Sequence, residues 1–108
     1  MIADIIAQAG YRVGRFISPH LHSYRERFTI NGQEIAAEKL KFYIDQIEAI
    51  IPVIAAKDCE QPTEFEILTA IAFLYFRDEN VDLAVLEVGM GGLYDSTNVI
   101  HPILAVIT

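Results

Sequence analysis

The order of hydrophobic and polar positions along the chain alternates between helical and extended patterns. Apolar residues recur at helical spacing over residues 2–9, 36–56 and 63–77. Extended apolar stretches occupy residues 11–17, 25–30, 82–88 and 103–107. The stretch at 82–88 is typical of a central parallel strand. Helices interleaved with such strands predict an α/β fold, with a mostly parallel sheet flanked by helices.

Local signals mark the ends of several of these elements. Thr63 is a candidate N-cap for the third helix, and Glu66 would complete a capping box three residues later. Asn31 followed by Gly32 predicts a tight turn. Pro52 inside the second helix predicts a kink or an early end.

Both ends of the chain fall at elements that look interrupted. The first helix starts almost at the first residue, with no Ser, Thr, Asp or Asn to cap it. The last apolar stretch reaches nearly to Thr108. We therefore expect residues 1–108 to form a single partial domain, and we expect its interrupted edges to promote self-association.

Length and charge restrict the partners. A chain of 108 residues holds one small domain. Its 8 Lys and Arg against 15 Asp and Glu give a net charge of −7, which argues against binding nucleic acid or an anionic membrane, though not against a local nucleotide site. No apolar run reaches the roughly 18 residues of a membrane helix.

The single cysteine, Cys59, excludes an internal disulfide and suits a reducing cytoplasm. Asp58 and Glu60 flank it and disfavour a thiolate, so we do not expect a catalytic thiol.

Glu87 stands out because it follows an apolar strand. Open α/β sheets bind ligands at the carboxyl ends of their strands. A carboxylate buried there would need a cation or strong hydrogen-bond donors, and Mg²⁺ beside a nucleotide phosphate is one such partner. A structural salt bridge is the alternative.

Other candidate residues have equally plausible structural interpretations. The loop after Glu87 contains a G-x-G-G run followed by Asp95 and Ser96, which suits either a ligand or a capped turn. Ser18 has a hydroxyl suited to a hard metal ion. Arg25 and Arg27 either bind an anion or alternate along a solvated edge. Phe65 lies at a helix start where a ligand could stack on it. The spacing of His20 and His22 favours surface histidines over a metal site.

Seven short motifs, taken in order, resemble the folylpolyglutamate synthase/dihydrofolate synthase family, a branch of the Mur ligase-like enzymes. They are residues 10–14 (GYRVG), 18–21 (SPHL), 25–27 (RER), 30–32 (ING), 62–70 (PTEFEILTA), 86–92 (LEVGMGG) and 95–100 (DSTNVI). Their order and spacing match along essentially the whole chain.

This resemblance implies a function and a set of site residues. The family joins L-glutamate to folate or dihydropteroate, with ATP as co-substrate, through an acyl phosphate. By resemblance, Ser18 and Glu87 would be ligands of Mg²⁺. The same resemblance places five residues at the pterin site, with Phe65 near the ring: Thr63, Glu64, Phe65, Asp95 and Ser96.

The chain also departs from the family pattern. The G-T-x-G-K-type phosphate loop that should precede the first helix is not in the sequence. Leu93 stands where an Arg is common. The resemblance therefore implies an incomplete Mur-ligase-type P-loop nucleotide-binding domain. It assigns no catalytic residue and no nucleotide-binding residue within these 108 residues, and it implies little activity for the chain alone. A non-catalytic remnant or interaction module, or another Mur-type amide ligase, remains the alternative.

Overall fold

The computed structural model describes residues 1–57 and 60–107. Cys59, for which we predicted no catalytic role, lies outside the described residues. The helices are α1 (Ile2–Gln8), α2 (Ala37–Ala55) and α3 (Glu64–Asp78), with short 3-10 helices at Tyr24–Arg27 and Ser96–Val99. The strands are β1 (Val13–Phe16), β2 (Phe28–Ile30), β3 (Gln33–Glu34) and β4 (Leu83–Leu86).

These strands form one four-stranded sheet in the order β3-β2-β1-β4. β1 pairs with β4 in parallel, with Val13 opposite Leu83. β1 with β2 and β2 with β3 are antiparallel. The predicted α/β class is confirmed, but the sheet is mixed instead of mostly parallel. Within the described residues β4 is an edge strand and not the central strand that its apolar sequence suggested.

The tight turn explains part of this mixed pairing. Asn31 and Gly32 both have positive φ angles, 47° and 80°, which is the backbone that a two-residue hairpin between β2 and β3 requires. Asn31 Oδ1 also accepts a hydrogen bond from the Val13 backbone N–H at 2.7 Å. This bond ties the hairpin to the first residue of β1.

The hydrophobic core lies between one face of the sheet and the helices α2 and α3. Its most buried side chains include Phe16, Phe28, Ile35 and Ile71. Gly14 fits under α3 because a Cβ atom there would approach the Phe76 ring to 2.6 Å. α1 covers the opposite face of β1, so the order of layers is helix, sheet, helices.

The capping signal of the third helix is confirmed, but the second helix does not end early at Pro52. Thr63 caps α3, and Glu66 completes the predicted capping box. α2 continues past Pro52 and ends at Ala55. The predicted extended stretch at 25–30 begins instead as a 3-10 helix, because Ser23 and Glu26 form a second capping box before β2 starts.

The predicted strand at 103–107 is wrong, because residues 101–107 have no regular structure. Its apolar side chains are exposed, with Ile107 at 99%. An apolar run becomes a buried strand only when it pairs with a neighbouring strand and packs against an apolar surface. The described residues provide neither for 103–107. No helix in the described part of the chain is long and apolar enough to cross a membrane.

Candidate functional site

The parallel pairing of β1 and β4 brings two predicted metal ligands together. Ser18 follows β1 by two residues, and Glu87 comes directly after β4. The Glu87 backbone N–H donates to the Phe16 carbonyl at 2.9 Å, which extends the ladder past β4. The Ser18 backbone N–H donates to Glu87 Oε2 at 2.8 Å. The carboxyl edge of the sheet therefore places the two residues side by side.

The expectation that Glu87 is a buried charge is wrong, since its side chain is exposed. β4 is itself only partly buried at the sheet edge, so water reaches the carboxylate. Two oxygen-bearing side chains nevertheless suit Mg²⁺, which prefers hard oxygen ligands, keeps several waters and often takes only one or two protein ligands. The described residues hold no cluster of three or more His, Cys, Asp or Glu side chains that could hold a metal ion by themselves.

A cleft of about 610 Å³ opens beside these two residues. That volume lies within the usual range of small-molecule sites. Of the seven predicted site residues, Glu64 and Glu87 do not line the cleft. The other five do: Ser18, Thr63, Phe65, Asp95 and Ser96. The structure therefore joins the strand-end loop, the start of α3 and the loop after β4 around one space.

Asp95 organises the wall formed by the loop after β4. Its side chain is 8% exposed. Oδ2 accepts the backbone N–H groups of Gly89 and Met90 at 2.9 and 2.8 Å. Oδ1 accepts the N–H of Thr97 at 2.9 Å and its hydroxyl. Burial raises the pKa of Asp95, but hydrogen bonds from Thr97, Met90 and Gly89 outweigh it and bring the pKa below its ordinary value.

Phe65 forms the aromatic wall of the cleft. Its ring stacks on Phe16, with centroids 5.8 Å apart. Gly89 passes so close that a Cβ atom there would lie 2.7 Å from Phe65 Cζ. The glycine that follows the apolar strand is therefore required for space at this wall, and a ring held flat in this way can stack on a planar ligand.

The remaining predicted pterin residues differ in their freedom to meet a ligand. The Thr63 hydroxyl is engaged with Glu66 at 2.7 Å. Glu64 does not line the cleft, and its carboxylate accepts the Tyr24 hydroxyl at 2.9 Å. Ser96 Oγ lies 2.9 Å from Thr69 Oγ1, and because Thr69 itself donates to the Phe65 carbonyl, Ser96 is the donor to Thr69.

Arg27 is the site residue that the sequence left undecided. It lines the cleft and is 8% exposed, so the solvated-edge interpretation is wrong for this residue. Its Nε–H donates to His20 Nδ1 at 2.9 Å, and its guanidinium carbon lies 5.4 Å from the centroid of the Tyr24 ring. Arg25 lies in the same 3-10 helix with its side chain half exposed beside Glu34, so it is at the surface but not on an extended edge. Alternation alone does not tell the two arginines apart.

No family model matches the chain, but individual proteins do. It is 43% identical over 108 residues to a dihydrofolate synthase/folylpolyglutamate synthase of Bacillus subtilis, covering 99% of this chain and 25% of that protein. It is 45% identical over 97 residues to a folylpolyglutamate synthase of Arabidopsis thaliana, covering 90% of this chain and 16% of that protein. The chain thus spans a quarter or less of the length of these curated relatives.

Solved structures agree with the sequence relatives. The folylpolyglutamate synthase of Thermotoga maritima superposes with a TM-score of 0.87 at 44% identity, covering 94% of this chain and 24% of that one. The Mycobacterium tuberculosis synthase complexed with ADP and AMPPCP gives 0.85 at 40% identity, covering 92% and 23%. A synthase complex with AMPPCP and folate gives 0.88 at 38% identity, covering 94% and 25%.

The four-stranded sheet with its flanking helices matches these synthase structures, whose fold is of the Mur-ligase-like type. Its homologues are the folylpolyglutamate synthases, and the resemblance inferred from the seven motifs is confirmed.

Proposed function

We propose that this chain supplies the metal-binding and pterin-binding part of a folylpolyglutamate synthase. Such an enzyme is an ATP-dependent ligase of folate biosynthesis that adds L-glutamate to folate, and we include dihydropteroate as a second substrate. The observation that carries the proposal is the cleft at the carboxyl edge of the sheet. It collects Ser18, Phe65, Asp95 and Ser96, and Glu87 is hydrogen-bonded to the backbone N–H of Ser18.

Each of these residues has a distinct part in that function. Ser18 and Glu87 would hold Mg²⁺, which when bound supplies positive charge that neutralises phosphate oxygens. Phe65 offers a flat surface for the pterin ring, and Asp95 keeps the loop after β4 closed against it. Thr63 and Ser96 set the two sides of this space. ATP and L-glutamate would be bound mainly by parts of such an enzyme that this sequence does not contain.

Two further points belong to the proposal. We place the protein in the cytoplasm, where its proposed co-substrates are available. We also propose that the exposed apolar stretch at 103–107 causes the isolated chain to self-associate. Sedimentation velocity at rising concentration should show oligomers, and Leu104→Lys should reduce them. A monomer at all concentrations would contradict this.

A chimera tests the enzymatic proposal directly. The matching segment of the Bacillus subtilis relative is replaced by this chain, and ATP-dependent glutamate addition to folate and to dihydropteroate is measured. We expect retained activity, because the segment is 43% identical over its length and would keep the site residues. A chimera that unfolds cooperatively but has no activity would refute the proposal.

Within an active chimera, Glu87→Gln tests the metal assignment. We expect a loss of most activity and a higher Mg²⁺ concentration at half-maximal rate, because the amide has no charge to offer the cation. Thermal stabilisation by AMPPCP with Mg²⁺ should weaken in parallel. Glu48→Gln on the exposed face of α2 is the matched control and should change neither quantity. Unchanged activity and unchanged Mg²⁺ dependence in Glu87→Gln would reject the assignment.

A further inference from the structure

Arg27 is a buried cation without a carboxylate partner among the described residues. Its side chain is 8% exposed, yet it appears in none of the ion pairs of the described part of the chain. The basic residues that do form ion pairs have exposed side chains and reach Asp or Glu: Arg12, Arg25, Lys39, Lys41 and Arg77. A buried guanidinium is costly unless an anion or several acceptors compensate it.

The carboxylates that line the same cleft are already engaged. Glu66 accepts the backbone N–H and the hydroxyl of Thr63. Asp95 accepts four donors from its own loop. Neither carboxylate forms an ion pair with Arg27. The described lining of the cleft therefore has one basic group, Arg27, whose counter-charge is not supplied by the described residues.

Neighbouring aromatic side chains hold this guanidinium in place. Its Nε–H donates to His20 Nδ1, which accepts through its ring lone pair. The Tyr24 ring lies under the guanidinium and also packs against the His20 ring in a tilted arrangement, with ring centroids 4.3 Å apart. Nε is thus used for positioning, whereas the terminal nitrogens have no hydrogen-bond partner among the described residues. Two adjacent N–H groups of this kind match the two oxygens of a carboxylate or phosphate.

We infer that Arg27 binds the oxyanion of the ligand in this cleft, either a carboxylate carried by the pterin compound or a phosphate group. This inference rests on the proposed pterin site and adds the group that the site recognises at its charged end. Arg27 acts as a binding residue, and His20 and Tyr24 act as positioning residues for it.

Two pterin probes that differ only in the anion test the inference by fluorescence titration of the 108-residue chain. They are pteroic acid and 6-(anilinomethyl)pterin, its analogue without the carboxylate. We expect pteroic acid to bind roughly 10- to 100-fold more tightly to the wild-type chain, which is the usual effect of a hydrogen-bonded charge pair. Arg27→Gln should abolish that difference and leave the affinity for the analogue unchanged.

Two more variants separate charge from structure. Arg27→Lys keeps the charge without the planar pair of donors and should retain only part of the difference. Arg25→Gln removes a neighbouring arginine that donates to the Ile35 carbonyl and lies near Glu34. This variant should retain the full difference in affinity between the two pterin probes. For the phosphate source, inorganic phosphate should raise the melting temperature of the wild-type chain and not that of Arg27→Gln.

The outcomes are distinguishable. If both pterin probes bind the wild-type chain equally, and phosphate stabilises the wild-type chain and Arg27→Gln alike, Arg27 does not bind an oxyanion. The proposed pterin site itself then stands. If Arg27→Gln weakens both probes to the same extent, its role is structural and the inference is overturned. If neither probe binds the wild-type chain, the inference and the proposed pterin site fail together.

Discussion

Replacing Asp95 with Asn removes the acceptor that holds the loop after β4. The wild-type carboxylate accepts four hydrogen bonds, two at each oxygen. An amide keeps one oxygen and turns its NH₂ group toward two of the donors. Hydrogen bonds to a charged acceptor contribute about 1.5 to 3 kcal/mol each, so the gross loss is roughly 3 to 6 kcal/mol. Since Asn avoids the burial of a charge, we expect a net destabilisation of about 2 to 3 kcal/mol.

The assay is urea unfolding followed by circular dichroism, at pH 7 and at several acidic pH values. The pKa of Asp95 is held below its ordinary value of 3.8, because the hydrogen bonds to its carboxylate outweigh its burial. A lowered pKa means that the stabilisation is complete above about pH 4 and is lost as the pH falls through the folded-state pKa. The difference in unfolding free energy between wild type and Asp95→Asn should therefore become smaller at acidic pH.

Asp45→Asn, on the exposed face of α2, is the control for a change of charge alone. It should change the unfolding midpoint little at any pH. A loss of less than 1 kcal/mol for Asp95→Asn, or a gap that is the same at pH 7 and in acid, would show that the carboxylate does not hold the loop.

Two other predictions concern the helices α3 and α2. Thr63→Ala should cost about 1 kcal/mol of unfolding free energy and should raise the lowered pKa of Glu66, because both depend on the hydrogen bonds at the start of α3. Thr63→Ser is the control and should keep both the stability, measured by thermal melting, and the lowered pKa of Glu66, measured by NMR titration. Burial, followed by a hydrogen bond to Asp78, raises the pKa of Tyr43 to about 12. Stability from this group is complete below pH 10 and declines toward pH 12, so Tyr43→Phe should lose the late step in a spectrophotometric tyrosine titration. A single tyrosine step near pH 10 in both proteins would contradict this.

Signals confined to a few residues were predictable from the sequence. The capping box at Thr63 and the turn at Asn31 and Gly32 are both present, because each depends on contacts within four residues. The close placement of Ser18 and Glu87 also follows from a general property of parallel strands, whose carboxyl ends share one edge.

Properties that depend on distant neighbours were not predictable in the same way. The exposure of Glu87 reflects the position of β4 at the sheet edge, and an apolar strand sequence does not reveal its place in the strand order. The burial of Arg27 depends on the loop that carries His20, while the similar Arg25 remains at the surface. The stretch at 103–107 has the composition of a strand but no partner in the described residues.

The parallel contact between β1 and β4 has a consequence for how ligand binding and folding depend on each other. Ser18 and Glu87 meet across a separation of 69 residues, so the cleft exists only after that long loop has closed. Closing such a loop is slow compared with forming a local hairpin. Ligand affinity can therefore appear only in molecules that have completed this step. A fluorescent pterin added during refolding would report the last stage of assembly, and at saturating concentration it would hold the closed form against unfolding.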